Sequence, residues 1–321
     1  MIVEKNSKVY IAGHRGLVGS ALLRHLKEKG YINTVIRTSK ELDLRRQADV
    51  EIFFQKEKPE YVFLVAAKVG GIEANISNPA DFIYDNLAIQ SNIIHSAFKT
   101  NIRKLLFVSS SCSYPRLCNQ PMKEEYILSG KPEPTNEYYA IAKICGMKMV
   151  EAYYKQYGAA FFSLIFPNIY GIGDNFNLAS SHVISALIRK MYEAKIKRLP
   201  SVEIWGTGNA RREFLYADDV AEASFFFMKN LCGREILNVG AGKDISIKDL
   251  AYLIRNVVGY DGKLLFDTNR PDGMPQKLLD VSRMESYGWI PSVSLEEGIK
   301  NTYQWFLQNY KEILRDENDK G

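Results

Sequence analysis

The stretch Lys8-Val-Tyr-Ile-Ala-Gly13-His-Arg-Gly16-Leu-Val-Gly19 decides the fold. A short apolar run ends at Ala12, three glycines follow at a spacing of three, and residues 19–29 have the periodicity of an amphipathic helix. In this order of strand, glycine turn and helix, the backbone can approach a pyrophosphate whose charge faces the helix N-terminus. The stretch therefore predicts a dinucleotide site formed by Gly13, Arg15, Gly16, Leu17, Val18 and Gly19.

Similar apolar runs recur through the first half of the chain and alternate with segments of helical periodicity. We expect strands at 8–12, 34–37, 61–66, 104–109 and 161–166. We expect helices at 19–29, 46–57, 81–100 and 137–157. This alternation predicts an α/β fold, with a Rossmann-type doubly wound parallel sheet and a smaller C-terminal substrate domain.

The strict alternation ends after Tyr170-Gly171, where a loop with Gly and Asn leads to an amphipathic segment at 181–194. We predict a dinucleotide-binding Rossmann domain at 1–171 and a substrate-binding domain at 172–321. The segment 214–239 contains two further apolar runs and is expected to return to the main sheet.

Composition restricts the possible partners. The 321 residues carry a formal charge of +5, but Lys and Arg are scattered, so we expect no nucleic-acid surface; a modest positive excess suits an anionic ligand. No histidine has metal-ligand spacing, and no apolar run approaches the length of a membrane-spanning helix. Residues 1–8 lack the apolar core of a signal peptide, and the four cysteines have no paired spacing. We therefore expect a cytoplasmic protein in which Cys112, Cys118, Cys145 and Cys232 are free thiols.

The end of the second predicted strand indicates which cofactor is used. An NAD enzyme carries Asp or Glu there for the ribose hydroxyl, but this chain has Arg37-Thr38-Ser39. Arg37 and Arg15 would hold a 2′-phosphate, although arginines at such positions also commonly face solvent. We predict NADPH/NADP as the cofactor, with Asp43 and Leu44 near its adenine.

Tyr139-Ala-Ile-Ala-Lys143 predicts carbonyl redox chemistry. On a helix these two side chains share a face, and a nearby ammonium is expected to lower the pKa of a phenol and make it useful in proton transfer. Ser110, at the end of the fourth predicted strand, would bind the same substrate oxygen. Alternation along extended backbone would direct Cys112 to the same side as Ser110, although most free cysteines are small buried hydrophobic residues.

The whole chain resembles the GDP-L-fucose synthase family of extended short-chain dehydrogenases/reductases. The motifs that carry this resemblance span nearly the full length: Gly13 to Ser20, Ala66-Ala-Lys-Val-Gly-Gly71, Ser110-Ser-Cys-Ser-Tyr-Pro115, Glu133-Pro-Thr-Asn-Glu137, Asp174-Asn-Phe176, Ser181-His-Val-Ile184, Trp205-Gly-Thr-Gly208, Arg212-Glu-Phe-Leu215, Pro271-Asp-Gly273 and Lys277-Leu-Leu-Asp280. The resemblance implies NADPH, usually a homodimer, and a GDP-linked keto sugar held by the C-terminal region.

The resemblance also implies roles for individual residues. Ser110, Tyr139 and Lys143 would form the reductase triad, and Cys112 and His182 would be the base and acid that exchange protons at C3 and C5 of the sugar. The remaining positions would contact NADP (Ala66, Ala67, Tyr139, Lys143 and His182) or the GDP-sugar (Lys190, Trp205, Arg212 and Lys277).

Around the sugar the chain departs from the usual family pattern, at Phe166-Pro167, Gly171-Ile-Gly-Asp174, Lys190 and Ser113. These departures leave open a reductase-only enzyme that acts on a related GDP-4-keto-heptose of a bacterial surface polysaccharide. A nucleotide-sugar dehydratase would carry an Asp-Glu pair where this chain has Ser111-Cys112. A silent NADPH-binding module would have no use for Tyr139 paired with Lys143.

Overall fold

The computed structural model describes residues 3–231, 233–270 and 272–318. Cys232 and Pro271, both noted in the sequence, lie outside the described residues. Within the described part of the chain, no helix is long and apolar enough to cross a membrane.

The main sheet is parallel and has the strand order β2-β1-β3-β4-β5-β9. Its strands are β1 Val9–Ala12, β2 Thr34–Val35, β3 Tyr61–Leu64, β4 Lys104–Ser110, β5 Phe161–Phe166 and β9 Ile236–Asn238. Strands β1, β3 and β5 are buried at every position, as expected where helices cover both faces of a parallel sheet. The predicted α/β doubly wound class is confirmed.

The helices are α1 Leu17–Glu28, α2 Gln47–Glu57, α3 Ile72–Ser77, α4 Pro79–Lys99, α5 Glu137–Tyr157, α6 Val183–Ile196, α7 Ala217–Asn230, α8 Ile247–Val258, α9 Ser282–Ser286 and α10 Leu295–Asn318. Helices α1 and α7 pack together on one face of the main sheet, and α2, α4 and α5 cover the other. Alternation along β1 supplies both cores, because Val9 and Ile11 join the first while Tyr10 and Ala12 join the second.

A smaller unit has its own core, built around α6, α8 and α10. It contains a sheet in the order β10-β8-β12, to which β6 is added beside β8, and a separate parallel pair of β7 and β11. Its strands are β6 Asn168–Tyr170, β7 Ser201–Trp205, β8 Arg211–Tyr216, β10 Asp244–Ser246, β11 Lys263–Asp267 and β12 Gln276–Lys277.

The segment expected to return to the main sheet divides between the two units. Strand β9 pairs with β5 and α7 packs on α1, but Phe214–Tyr216 belongs to β8 in the smaller sheet, which corrects the expectation for these three residues. The reason is backbone pairing, since β8 has partners in β6, β10 and β12. The chain therefore crosses from the smaller unit to the larger one at the start of α7.

Candidate active site

The glycine loop between β1 and α1 has the shape that a dinucleotide requires. Gly13 has φ +95°, and a Cβ on Gly19 would overlap the carbonyl group of Gly13, so the turn closes only with glycine at both positions. Gly16 is the N-cap of α1 and provides no side-chain cap, which leaves the first N–H groups of the helix open to an anion. These residues fit a pyrophosphate.

The loop after β3 lies directly against this turn. A Cβ on Gly13 would stand 2.7 Å from the backbone of Ala66, so the two loops touch. Ala66 and Ala67 are small and half-buried. A small side chain here leaves room beside the glycine loop, as a bound dinucleotide needs.

The two arginines predicted to hold a 2′-phosphate differ in their surroundings. Arg15 is exposed in the glycine loop, whereas Arg37 donates from Nη2 to Oε1 of Glu57 at 2.6 Å and lies over the ring of Phe53. Arg37 is thus already paired within the fold. Asp43 is likewise paired with Arg45, at 2.8 Å, and Leu44 packs against the core beside α4.

Ser110 and Cys112 lie close together, but not for the reason expected from the sequence. Residues Ser111–Ser113 form a short 3₁₀ turn rather than extended backbone, and the turn brings the Cys112 N–H to within 3.3 Å of the Ser110 hydroxyl. The predicted convergence of hydroxyl and thiol is therefore produced by a tight turn that the alternation argument did not contain.

Helix α5 carries Tyr139 and Lys143 into the same pocket. Burial raises the pKa of the Tyr139 phenol, the charge of Cys112 adds to this rise, and a hydrogen bond with Ser110 opposes it. The expectation of a lowered phenol pKa is therefore wrong. Burial lowers the pKa of Lys143 to about 7. Nζ of Lys143 lies 5.8 Å from the centroid of the Tyr139 ring and donates to the carbonyl of Val108. Tyr139 is consequently a protonated phenol, suited to donating a proton.

The Cys112 thiol has an electropositive environment. Nζ of Lys277 lies 3.3 Å from Sγ, and Nδ2 of Asn136 donates to Sγ at 3.1 Å. Burial opposes ionisation, but the Lys277 charge and hydrogen bonds involving Ser110, Lys277 and Asn136 hold the pKa of the thiol below its ordinary value. Asn136 was in a quoted motif, but sequence reasoning gave it no role, and Lys277 was expected only as a contact to GDP.

His182 lies at the exposed N-cap of α6. Burial raises the pKa of the nearby Asp174 carboxyl above its ordinary value, although a hydrogen bond from Ser185 and the charge of His182 oppose this rise. The loop before His182 contacts Gly71, since the Gly71 N–H donates to the carbonyl of Ser180 at 3.4 Å. Within the described residues, the hydrogen bonds to Sγ of Cys112 come from Asn136 and Lys277 and not from His182.

The predicted GDP contacts form a second group on the smaller unit. Nζ of Lys190 lies 5.7 Å from a ring centroid of Trp205, and Cζ of Arg270 lies 4.6 Å from one. Trp205 remains 39% exposed. Arg212 donates from Nη2 to the carbonyl of Asp272 at 3.0 Å. Burial lowers the pKa of Arg212, and the charge of the nearby Cys112 thiol opposes this effect. Arg270 was not identified from the sequence. Arg212 links this group to the cluster of Ser110, Cys112 and Tyr139.

A doubly wound sheet with an uncapped glycine loop, and with Ser110, Tyr139 and Lys143 at its carboxyl edge, defines a dinucleotide-dependent oxidoreductase of the short-chain type. Residues 9–240 match the model of the NAD dependent epimerase/dehydratase family. The chain belongs to this family, in the group that contains the GDP-L-fucose synthases.

Individual relatives cover nearly the whole chain. GDP-L-fucose synthase 1 of Arabidopsis thaliana is 51% identical over 306 residues, 95% of each chain. The solved structure of a GDP-6-OMe-4-keto-L-xylo-heptose reductase from Campylobacter jejuni has a TM-score of 0.91 at 40% identity and covers 96% of this chain and 99% of its own. A GDP-mannoheptose C4 reductase from the same organism, with NADP bound, has a TM-score of 0.87 at 40% identity, over 95% of this chain and 100% of its own.

Proposed function

We propose that the protein uses NADPH to reduce the C4 keto group of a GDP-4-keto-deoxy sugar, after epimerisation at C3 and C5. The observation that carries this proposal is that a proton-donating phenol, Tyr139, and an activated thiol, Cys112, share one pocket with Ser110. A reductase alone needs the phenol and the hydroxyl. The activated thiol supplies the base that inversion next to a ketone requires.

Epimerisation begins with the ketone, which acidifies the hydrogens on C3 and C5. Cys112 as thiolate removes a proton, and the resulting enolate oxygen is stabilised by the hydroxyls of Ser110 and Tyr139. Reprotonation from the opposite face inverts the centre, and His182 is the proposed acid. Asp174 lies near His182 and interacts with it electrostatically.

Reduction uses the same oxygen. When bound, NADPH would supply the hydride for C4. Tyr139 would donate its phenolic proton to the developing alkoxide, and Ser110 would hold that oxygen in place. Lys143, whose Nζ donates to the carbonyl of Val108, would bind the nicotinamide ribose and stabilise the phenolate left on Tyr139. The GDP moiety would bind the group formed by Lys190, Trp205 and Arg212.

A reductase-only function on a GDP-4-keto-heptose is the second candidate. It is supported by the resemblance to the two C. jejuni heptose reductases, at TM-scores of 0.91 and 0.87. It is also supported by the sugar-side departures Ser113 and Lys190. We favour the epimerising function because Lys277 and Asn136 contact the Cys112 thiol and its pKa is lowered, as a catalytic base requires.

Incubation with GDP-4-keto-6-deoxymannose in deuterated water separates the two functions. The epimerising function predicts deuterium at C3 and C5 before NADPH is added, followed by NADPH oxidation and formation of GDP-fucose. Cys112→Ser should remove the label, while Cys118→Ser serves as a matched control and should not. NADPH oxidation with a heptose substrate alone, and no label, would replace the proposal with the reductase-only function.

We also infer a homodimer and a cytoplasmic location. Adjacent helices α4 and α5 leave Tyr84, Tyr138 and Tyr157 exposed at 67%, 45% and 53%, which supports a helical dimer seam. Cys112, Cys118 and Cys145 are free thiols, which supports a reducing compartment. Analytical ultracentrifugation of the protein and of Tyr84→Glu tests the dimer; a monomeric wild type would refute it.

A further inference from the structure

The buried ammonium of Lys277 lies against the thiol of Cys112. Nζ is 3.3 Å from Sγ, and the lysine side chain belongs to a residue only 8% exposed. Within the described part of the chain, this thiol is the hydrogen-bond partner found for Nζ. Because a buried ammonium needs a compensating negative charge, the contact favours the thiolate form of Cys112.

Strand pairing fixes the position of Lys277. Strand β12 lies parallel to β8 with Lys277 opposite Arg212, so the two cations stand side by side in the smaller sheet and both act on the thiol. Arg212 is held by carbonyl oxygens of Arg211 and Asp272. Lys277 is therefore the cation whose hydrogen bond goes to Sγ.

The other groups around the thiol do not oppose this arrangement. Asn136, next to the start of α5, donates to Sγ at 3.1 Å, and the hydroxyl of Ser110 accepts from the Cys112 backbone. Tyr139 is a further titratable neighbour, and it is a neutral phenol because burial raises its pKa, while Glu133 and Asp272 act on Arg212. Among the residues that the structure describes, one ammonium and one amide, but no carboxylate, are in hydrogen-bond contact with Sγ.

We propose that Lys277 is a positioning residue that keeps Cys112 ionised before the sugar binds, with Asn136 as a second donor to the thiolate. This inference rests on the proposed function, in which Cys112 is the base at C3 and C5. It assigns to Lys277 a role distinct from contact with GDP. The epimerase base is then available at neutral pH, and the proton it needs to lose has already left in the free enzyme.

Alkylation of the free enzyme by iodoacetamide tests the proposal without any sugar. The rate at Cys112, read from its peptide by mass spectrometry, is measured against pH, and the exposed Cys145 serves as the internal reference. The midpoint for Cys112 should lie below that for Cys145. Lys277→Met should raise it and slow alkylation at pH 7 by about tenfold or more.

Two further variants control this experiment. Lys277→Arg retains a cation and should preserve most of the depressed midpoint, and Lys243→Met removes an exposed cation of the same unit and should change nothing. An unchanged Cys112 midpoint in Lys277→Met would overturn the proposal. A wild-type midpoint at or above that of Cys145 would do the same, even if Lys277→Met did not fold.

Deuterium exchange then separates this inference from the proposed function. If the Cys112 midpoint is low and depends on Lys277, but no label appears at C3 and C5, the epimerase function is rejected and the ion pair between Lys277 and Cys112 is retained. Label in the wild type, with a Lys277→Met variant that changes only KM and leaves kcat and the pH profile intact, would reject the positioning role and leave Lys277 as a ligand of GDP.

Discussion

Nζ of Lys143 lies 2.9 Å from the carbonyl oxygen of Val108, which ties α5 to the carboxyl end of β4. The contact holds the lysine of the predicted triad in a buried site that provides a carbonyl but no carboxylate among the described partners. Burial lowers the pKa of Lys143 to about 7. Holding the ammonium form of Lys143 in this site therefore costs stability.

This cost predicts a pH dependence of stability. Between about 7 and the ordinary lysine pKa of 10.5, the unfolded chain binds a proton that the folded chain does not, so stability should rise with pH across that window. Lys143→Met should remove this contribution and flatten the rise in Tm of the apoprotein, measured by calorimetry from pH 6 to 10. Lys148→Met, which removes an exposed lysine of the same helix, should keep the wild-type slope. Equal slopes for Lys143→Met and wild type would contradict the expectation.

Tyr139→Phe should separate reduction from epimerisation. Loss of the phenolic proton is expected to lower NADPH oxidation by roughly 10²–10⁴-fold, because general acid catalysis contributes about that much. Cys112 remains, so deuterium incorporation at C3 and C5 should continue at a measurable rate. The affinity for NADPH, followed by fluorescence titration, should stay near that of the wild type. Complete loss of label would show instead that the phenol is essential to the enolate step.

The order of elements in the first half could be predicted from the sequence, because buried strands and amphipathic helices have different periodicities. Helix α5 was predicted at 137–157 and observed at Glu137–Tyr157. The tertiary arrangement beyond the main sheet could not be predicted in this way. Phe214–Tyr216 reads as a buried strand, and only backbone pairing determines which sheet it joins.

The candidate site shows the same division. Motif spacing suggested Ser110, Tyr139, Lys143 and Cys112, since their segments lie near each other in the chain. The contact between Cys112 and Lys277 joins residues 165 positions apart, and no local pattern encodes it. Arg37 is a second example, because its hydrogen bond to Glu57 joins residues 20 positions apart.

The glycine loop predicts different outcomes for two similar substitutions. A Cβ at Gly16 meets only the carbonyl of Gly13, at 3.5 Å, so Gly16→Ala should fold with a nearly unchanged Tm. A Cβ at Gly19 overlaps that same carbonyl group, so Gly19→Ala should lower the Tm clearly. If the pyrophosphate lies over the N-terminus of α1, Gly16→Ala should nevertheless bind NADPH about tenfold or more weakly by calorimetric titration. Wild-type affinity in Gly16→Ala would place the pyrophosphate elsewhere.

Trp205 is the aromatic surface on which a guanine base is expected to stack. Lys190 and Arg270 approach its ring, and burial together with Arg270 lowers the pKa of Lys190 against the charge of Glu203. Base stacking on an aromatic side chain is worth about 1–3 kcal/mol, so Trp205→Leu should weaken GDP binding roughly 5–150-fold by calorimetry. Trp205→Phe should retain most of the affinity because it keeps an aromatic face.

Arg270 gives this expectation a second, independent check. Arg270→Met removes a cation near the ring without altering the ring itself, so it should weaken GDP binding less than Trp205→Leu and should reduce the dependence of binding on salt. NADPH affinity is the control and should not change in any of these variants, because the cofactor loop lies on the other unit. If Trp205→Leu binds GDP as tightly as the wild type, the base does not stack there. Lys190 and Arg270 would then be expected to act on the diphosphate of GDP instead, as cations beside the indole.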